Sequence, residues 1–144
     1  MDLWLPFDLN TTLLEGLQLL GFSTPTPIQS AALQAALRDK KDVVAAAETG
    51  SGKTLAFGLP IIHQILETQA EQGATPGLKA LILEPTRELA IQVCTQLKKV
   101  SVKCGVRIVA IVGGLAPQKQ QRQLAARPDI IVATPGRLWE LMDL

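Results

Sequence analysis

The stretch AAAETGSGKTLAF, residues 45–57, constrains this chain more than any other. Gly50 and Gly52 open backbone angles that residues with side chains resist, so several N–H groups can converge on one anion. The uniformly apolar run DVVAAA (42–47) precedes this turn and reads as a buried strand; a helical pattern from about Lys53 to Leu66 follows it. That order brings a helix N-terminus, with its positive dipole end, to the anion. Lys53 is placed to reach the β- and γ-phosphates of a nucleotide, and the Thr54 hydroxyl to bind Mg²⁺. The strict pattern begins with Gly, and Ala47 stands there instead. The expected nucleotide-binding set is Ala47, Glu48, Thr49, Gly50, Ser51, Gly52, Lys53 and Thr54, with Lys53 and Thr54 carrying the chemistry. Glu48 is expected on the outer, solvated arc of the loop.

The rest of the chain repeats the same alternation. After the lead DLWLPFDL, Asn10 or Thr11 caps a helix over TTLLEGLQLL, and Gly21 stops it. Pro27 suits the first turn of the next helix, IQSAALQAALRD. Beyond the phosphate turn and its helix, ETQAEQGATPG reads as an exposed loop. LKALILE, VRIVAIV and DIIVA read as further strands. Helices over TRELAIQVCTQLKKVSVK, with Leu89, Val93 and Leu97 on one face, and over PQKQQRQLAAR separate them. TPGR then turns into RLWELMDL. Strands separated by helices cannot pair as hairpins, so an α/β fold with a parallel sheet and right-handed crossovers follows.

Composition agrees. A chain of 144 residues, 47% hydrophobic with no Tyr, builds its core from Ala, Val, Leu and Ile, which suits a helix-covered parallel sheet. Net charge is +1, so no global basic field draws in nucleic acid. Two cysteines, Cys94 and Cys104, and no charged leader point to reduced thiols in an intracellular compartment. His63 has no second ligand at metal spacing and reads as a packed or surface histidine. Lys98, Lys99 and Lys103 read as a solvated patch at a helix C-terminus.

Four further stretches matter together: GFSTPTPIQ (21–29), PTRELA (85–90), GG (113–114) and TPGR (134–137). With AETGSGKT between them, in this order, the chain resembles the first RecA-like domain of a DEAD-box RNA helicase, a P-loop NTPase fold. The resemblance covers essentially all 144 residues. It implies a segment over 1–32 carrying the adenine-reading glutamine and an ATP-binding domain over 33–144, incomplete at its C-terminal side. It puts Gln29 on the adenine edge, with Phe22 supporting the ring pocket and an upstream aromatic, Trp4 or its rival Phe7, beside it. It implies ATP and Mg²⁺ as cofactors. It also implies contacts to RNA sugar and phosphate from Pro85, Thr86 and Arg87, from Gly113 and Gly114, and from Thr134, Pro135, Gly136 and Arg137. Contacts of that kind carry little sequence preference. Gly113 and Gly114 are expected to let the strand beneath approach closely. Gln29 and PTRELA argue against a DNA helicase or transporter ATPase.

RLWEL and QKQQR look most like the nucleolar subgroup linked to large-ribosomal-subunit assembly, which implies pre-ribosomal particles as partners and a nuclear or nucleolar site. The D-E-A-D run, the Ser-Ala-Thr motif and the second RecA-like domain of the family do not occur in these 144 residues. Asp42 and Asp129 begin their strands and Glu84 leads into the RNA turn, so none replaces the metal carboxylate. The expectation is a helicase in the full-length protein, with this stretch alone binding nucleotide and RNA backbone without turnover. The alternative is a non-catalytic module.

Overall fold

A computed structural model describes residues 2–142; the last two residues of the RLWELMDL stretch, Asp143 and Leu144, lie outside them. The chain divides into two compact units. The first comprises residues up to Ala74 with Lys99–Gly105, and the second Thr75–Lys98 with Val106 onward.

The first unit is helical. A 3₁₀ turn, Asp2–Phe7, leads into α1 (Thr11–Leu19). Asn10 caps α1, its Oδ1 accepting from Thr12 N–H at 3.0 Å. Gly21 ends it at φ +74°, and Phe22 N–H reaches back to the Leu17 carbonyl at 2.9 Å, closing a Schellman turn. Helix α2 (Pro27–Leu33) continues as one wide π turn over Gln34–Arg38. Helix α3 runs from Lys53 to Gln72. The core holds Trp4, Leu13, Leu17, Leu33, Leu55, Leu59 and Ile62, all at most 2% exposed. Gly16 lets α1 lie against the chain at Val100, whose carbonyl oxygen would be 1.8 Å from any Cβ placed there.

The second unit carries the sheet. Strands β1 (Ala80–Leu83), β2 (Ile108–Ile111) and β3 (Ile130–Ala133) are parallel in the order β1-β3-β2. Between them run α4 (Arg87–Val100, its last two residues counted with the first unit) and α5 (Pro117–Ala125); α6 (Pro135–Met142) follows. Ile111, Ile131 and Ala133 form a buried cluster on one sheet face, with Val109, Leu124 of α5, and Leu138 and Leu141 of α6 packed against it. At the amino end of the sheet Asp129 accepts from Arg107 N–H at 2.8 Å and from Lys79 Nζ at 3.0 Å, and Lys79 also donates to the Thr75 carbonyl. Asp129 is thus a structural clasp at the end opposite the candidate RNA contacts.

Three sequence expectations are corrected here. Residues 42–47 are not a buried strand: Asp42–Ala46 are exposed, Val44 wholly so, and the run joins no ladder. Alternate residues Val43, Ala45 and Ala47 line a cavity of about 390 Å³ with Ile28 and Ala32 of α2 and Ala56, Phe57 and Pro60 of α3. The run keeps a strand's alternation, but a strand exists only where a neighbour supplies N–H and C=O groups, and the three paired strands supply them to one another. Asp42 accordingly begins no strand. Second, α3 continues through ETQAEQ to Gln72, because Glu and Gln are good helix formers and Gly73, at φ +81°, is the first residue that stops it. Third, Leu89 is exposed while Val93 and Leu97 are buried, so the inward face of α4 is rotated from the expected one.

Candidate functional site

The candidate phosphate loop, residues 47–54, lies in the first unit. Gly50 and Gly52 take left-handed angles, φ +82° and +89°. Gly52 is the N-cap of α3, and no side chain caps that helix. Its first N–H groups are therefore open to an anion. Ser51 Oγ is buried without a partner among the described residues. Glu48 and Thr49 are exposed, as is Lys53 at the first helical position; Thr54 is half-buried in the same turn. An orphaned hydroxyl, an uncapped helix start and two left-handed glycines fit a nucleotide phosphate, and the lysine and threonine donors fit its charge and metal. Among the described residues no group of three or more acidic, His or Cys side chains could hold a metal alone. A magnesium ion here would share its ligands between Thr54 and phosphate.

Gln29 is only 5% exposed, and its amide is built into the loop. Oε1 accepts from Thr26 N–H at 2.9 Å, completing a capping box in which Gln29 N–H returns to Thr26 Oγ1 at 3.4 Å. Nε2 donates to the Gly52 carbonyl at 3.2 Å. One amide donor and one lone pair remain. The structural half of this role was legible but missed: Thr26-Pro27-Ile28-Gln29 matches the Ser/Thr-x-x-Glu/Gln capping pattern.

The two aromatics divide differently from expectation. Trp4 is fully buried, and its indole N–H donates to the Phe22 carbonyl at 2.9 Å. It offers no ring face to a ligand; it fixes the turn that presents Phe22, which is 40% exposed. Phe7, the rival, is half-buried.

The first unit also holds a titratable contact. Asn10 N–H donates to His63 Nδ1 at 3.0 Å, and Asn10 Nδ2 to Glu67 Oε1 at 3.2 Å. Burial chiefly, and Lys40, push the His63 pKa below its ordinary value, against Glu67 and Asp8, which raise it. The fold therefore holds a neutral imidazole, and protonating Nδ1 destroys an acceptor. A depressed histidine pKa contributes stability that is complete above the unfolded value of about 6.5 and is lost as pH falls below it. The thermal midpoint is expected to drop between about pH 7.5 and 5.5, more steeply in wild type than in His63→Gln, where the amide oxygen can still accept. Parallel curves for the two proteins would remove His63 from this role.

In the second unit the three remaining stretches meet at one edge. Thr86, Gly113 and Thr134 follow β1, β2 and β3, so all stand at the carboxyl ends of adjacent parallel strands. Strand spacing of about 4.8 Å puts the outer two roughly 10 Å apart, with Thr134 between. Thr86 caps α4, its Oγ1 accepting from Leu89 N–H at 3.2 Å. Pro85 and Arg87 are exposed. At Gly114, φ +81°, a Cβ would stand 2.2 Å from Arg87 Nη1. What Gly114 admits is thus the Arg87 guanidinium rather than a strand beneath, and a Cβ on Gly113 would meet nothing within 4 Å. Thr134 N–H donates to the Ile111 carbonyl at 3.1 Å, and Pro135 opens α6. A Cβ on Gly136 would also meet open space. Arg137 donates from Nη1 to the Leu115 carbonyl at 2.9 Å and to Gln120 Oε1 at 3.3 Å. Its Nε lies 3.0 Å from Glu140 Oε2, near enough for an ion pair but without hydrogen-bond alignment. Gln120, fully buried, was not singled out from the sequence; of the four glutamines of α5 it is the one four residues before Leu124, on the inward side of a polar helix.

Helices over a parallel sheet, with a glycine turn opening a helix and anion-ready loops at the strand ends, define a RecA-like nucleotide-binding domain. The chain belongs to the DEAD/DEAH box helicase family, whose model matches residues 26–144. It is 50% identical to DEAD-box ATP-dependent RNA helicase 13 of Oryza sativa subsp. japonica, over 97% of this chain and 18% of that protein. It is 48% identical to the ATP-dependent rRNA helicase RRP3 of Lodderomyces elongisporus, over 95% of this chain and 26% of that one. Among solved structures, a DEAD box protein from the hyperthermophile Methanococcus jannaschii superposes with a TM-score of 0.82 at 36% identity, covering 94% of this chain and 35% of that one. The chain thus spans about a fifth to a quarter of the length of these curated relatives.

Proposed function

We propose that the intact protein is an ATP-dependent RNA helicase, which uses ATP with Mg²⁺ to open short RNA duplexes or remodel RNA–protein particles. We further propose that it works on pre-ribosomal RNA in the nucleus or nucleolus. The subgroup resemblance of QKQQR and RLWEL supports that finer reading, as does the relative named an rRNA helicase.

The observation that supports the nucleotide half most is the bond from Gln29 to Gly52. It ties a base-reading amide to the loop that holds phosphate. The remaining donor and acceptor of Gln29 complement adenine N7 and N6; guanine offers two acceptors at those positions and leaves one clash of lone pairs. Lys53 brings positive charge to the terminal phosphate, and Thr54 shares the metal. Bound Mg²⁺ neutralises phosphate charge as it transfers. Arg87 and Arg137 at the strand ends take RNA phosphates, which gives binding with little sequence preference and a strong salt dependence.

The test is competition between ATP and GTP. The intact protein is expected to prefer ATP, and Gln29→Ala to reduce that preference by roughly ten- to a hundredfold, the worth of one bidentate base contact. Equal use of both nucleotides by the unaltered protein would defeat the adenine assignment.

A further inference from the structure

We propose that Gln120 is a positioning residue for RNA: it aims the Arg137 guanidinium and locks it to the glycine turn. The proposal rests on the reading of Arg137 as a phosphate contact.

Gln120 is one of three buried polar residues among those described, and it is 0% exposed. A polar side chain is buried at a cost unless its hydrogen bonds are met. Both ends of this amide are used: Nε2 donates to the Val112 carbonyl at 2.8 Å, and Oε1 accepts from Arg137 Nη1 at 3.3 Å. Arg137 Nη1 spends its other proton on the Leu115 carbonyl at 2.9 Å. Val112 and Leu115 flank Gly113 and Gly114. One amide and one guanidinium nitrogen therefore grip both ends of the glycine turn.

The consequence for Arg137 is orientation. A guanidinium has five N–H donors in a rigid plane. Nη1 uses both of its donors, and Nε is buried 3.0 Å from Glu140 Oε2 without a hydrogen bond, out of a ligand's reach. Nη2 has no partner among the described residues, so its two donors are what this arginine can offer a phosphate. The side chain is only 13% exposed, so the group is held rather than mobile. An arginine already fixed in its binding pose loses little conformational entropy when the ligand arrives. Gln120 supplies that fixation from beneath, touching no RNA itself, and links the TPGR stretch to the glycine pair in one rigid piece.

The experiment measures binding of an oligouridylate to the intact protein with a non-hydrolysable ATP analogue. Wild type is compared with Gln120→Met, Arg137→Ala, the double variant and Arg137→Lys. Methionine keeps the volume of glutamine and removes both hydrogen bonds. Gln120→Met is expected to weaken RNA binding roughly tenfold, the factor for losing a hydrogen bond to a charged group, with affinity for the ATP analogue unchanged. The double variant is expected to bind RNA no worse than Arg137→Ala alone, because Gln120 acts through Arg137. Equal losses from Gln120→Met with and without Arg137 would show a merely structural glutamine and overturn the proposal, as would wild-type binding by Gln120→Met. Wild-type binding by Arg137→Ala would instead overturn the underlying phosphate assignment. Arg137→Lys, at a half-buried site on α6, keeps charge but not the planar fork. It is expected to lose about as much as Gln120→Met, roughly tenfold. Full RNA affinity there would show that orientation is irrelevant, and would decide the matter even if Gln120→Met failed to fold.

Discussion

Lys53→Ala is expected to lower RNA-stimulated ATP turnover of the intact protein by at least roughly 10²–10³-fold, the range for deleting one preorganised charge donor at a reacting centre. Lys53 opens α3, is exposed, and has no hydrogen-bond or ion-pair partner among the described residues. Nothing in the fold depends on its ammonium group. Alanine is also the best helix former, so α3 should survive, with a stability change within about 0.5 kcal/mol. The large loss in rate and the small change in stability together identify a residue whose work is done on the ligand. Charge accumulates on the terminal phosphoryl oxygens as the bond to the leaving oxygen breaks, and a fixed positive group there lowers the barrier. Arginine is no substitute, because its wide planar fork replaces a compact charge in a loop closed around Gly50 and Gly52. Phosphate-release kinetics and a melting curve on the same preparation decide it. Near-normal turnover in Lys53→Ala would remove the phosphate loop from the mechanism.

The parts of the structure that were legible in the sequence are those whose cause is local. Gly21 ended α1 because a left-handed C′ residue is a backbone requirement of that turn alone. Pro27 opened α2 for an equally local reason, its fixed φ. The alternation of strand and helix gave the parallel sheet, since each crossover is set by a single strand–helix–strand unit. What was not legible depended on a distant partner. The run 42–47 has the composition of a strand, but ladder formation is decided by neighbours that composition does not describe. Trp4 looked like a ligand-facing aromatic, and only the Phe22 carbonyl eighteen residues away shows that its N–H is already used. Gln29 was expected at adenine through family pattern alone. Its tie to Gly52 is a long-range bond that no window of sequence contains. Gln120 is the clearest case, a polar residue in a polar helix whose burial comes from Val112 and Arg137.

Gly52→Ala is expected to damage both the fold of the first unit and its hold on nucleotide. Two effects combine. Gly52 sits at φ +89°, where a side chain costs about 1–2 kcal/mol. Its new methyl would also stand 2.5 Å from Gln29 Nε2 and 3.0 Å from Thr26 Oγ1. Gln29 is the flexible partner, so it must move, breaking its bond to the Gly52 carbonyl and loosening the capping box of α2, each worth about 1 kcal/mol. The sum is roughly 3–4 kcal/mol, a large part of a typical domain's stability. Gly50→Ala provides the control. Its φ is +82°, but nothing lies within 4 Å of the added carbon, so only the backbone strain remains. Gly52→Ala should therefore be the more damaging by about 2 kcal/mol in chemical denaturation, and should lose ATP selectivity over GTP while Gly50→Ala keeps it. Combining Gly52→Ala with Gln29→Ala removes the closest clash and leaves only the contact with Thr26 Oγ1. The pair should then couple, costing less than the sum of its members. Equal effects at Gly50 and Gly52, or strict additivity in the double variant, would mean that the amide of Gln29 and the phosphate loop are not one piece, and the link between base reading and phosphate binding would be lost.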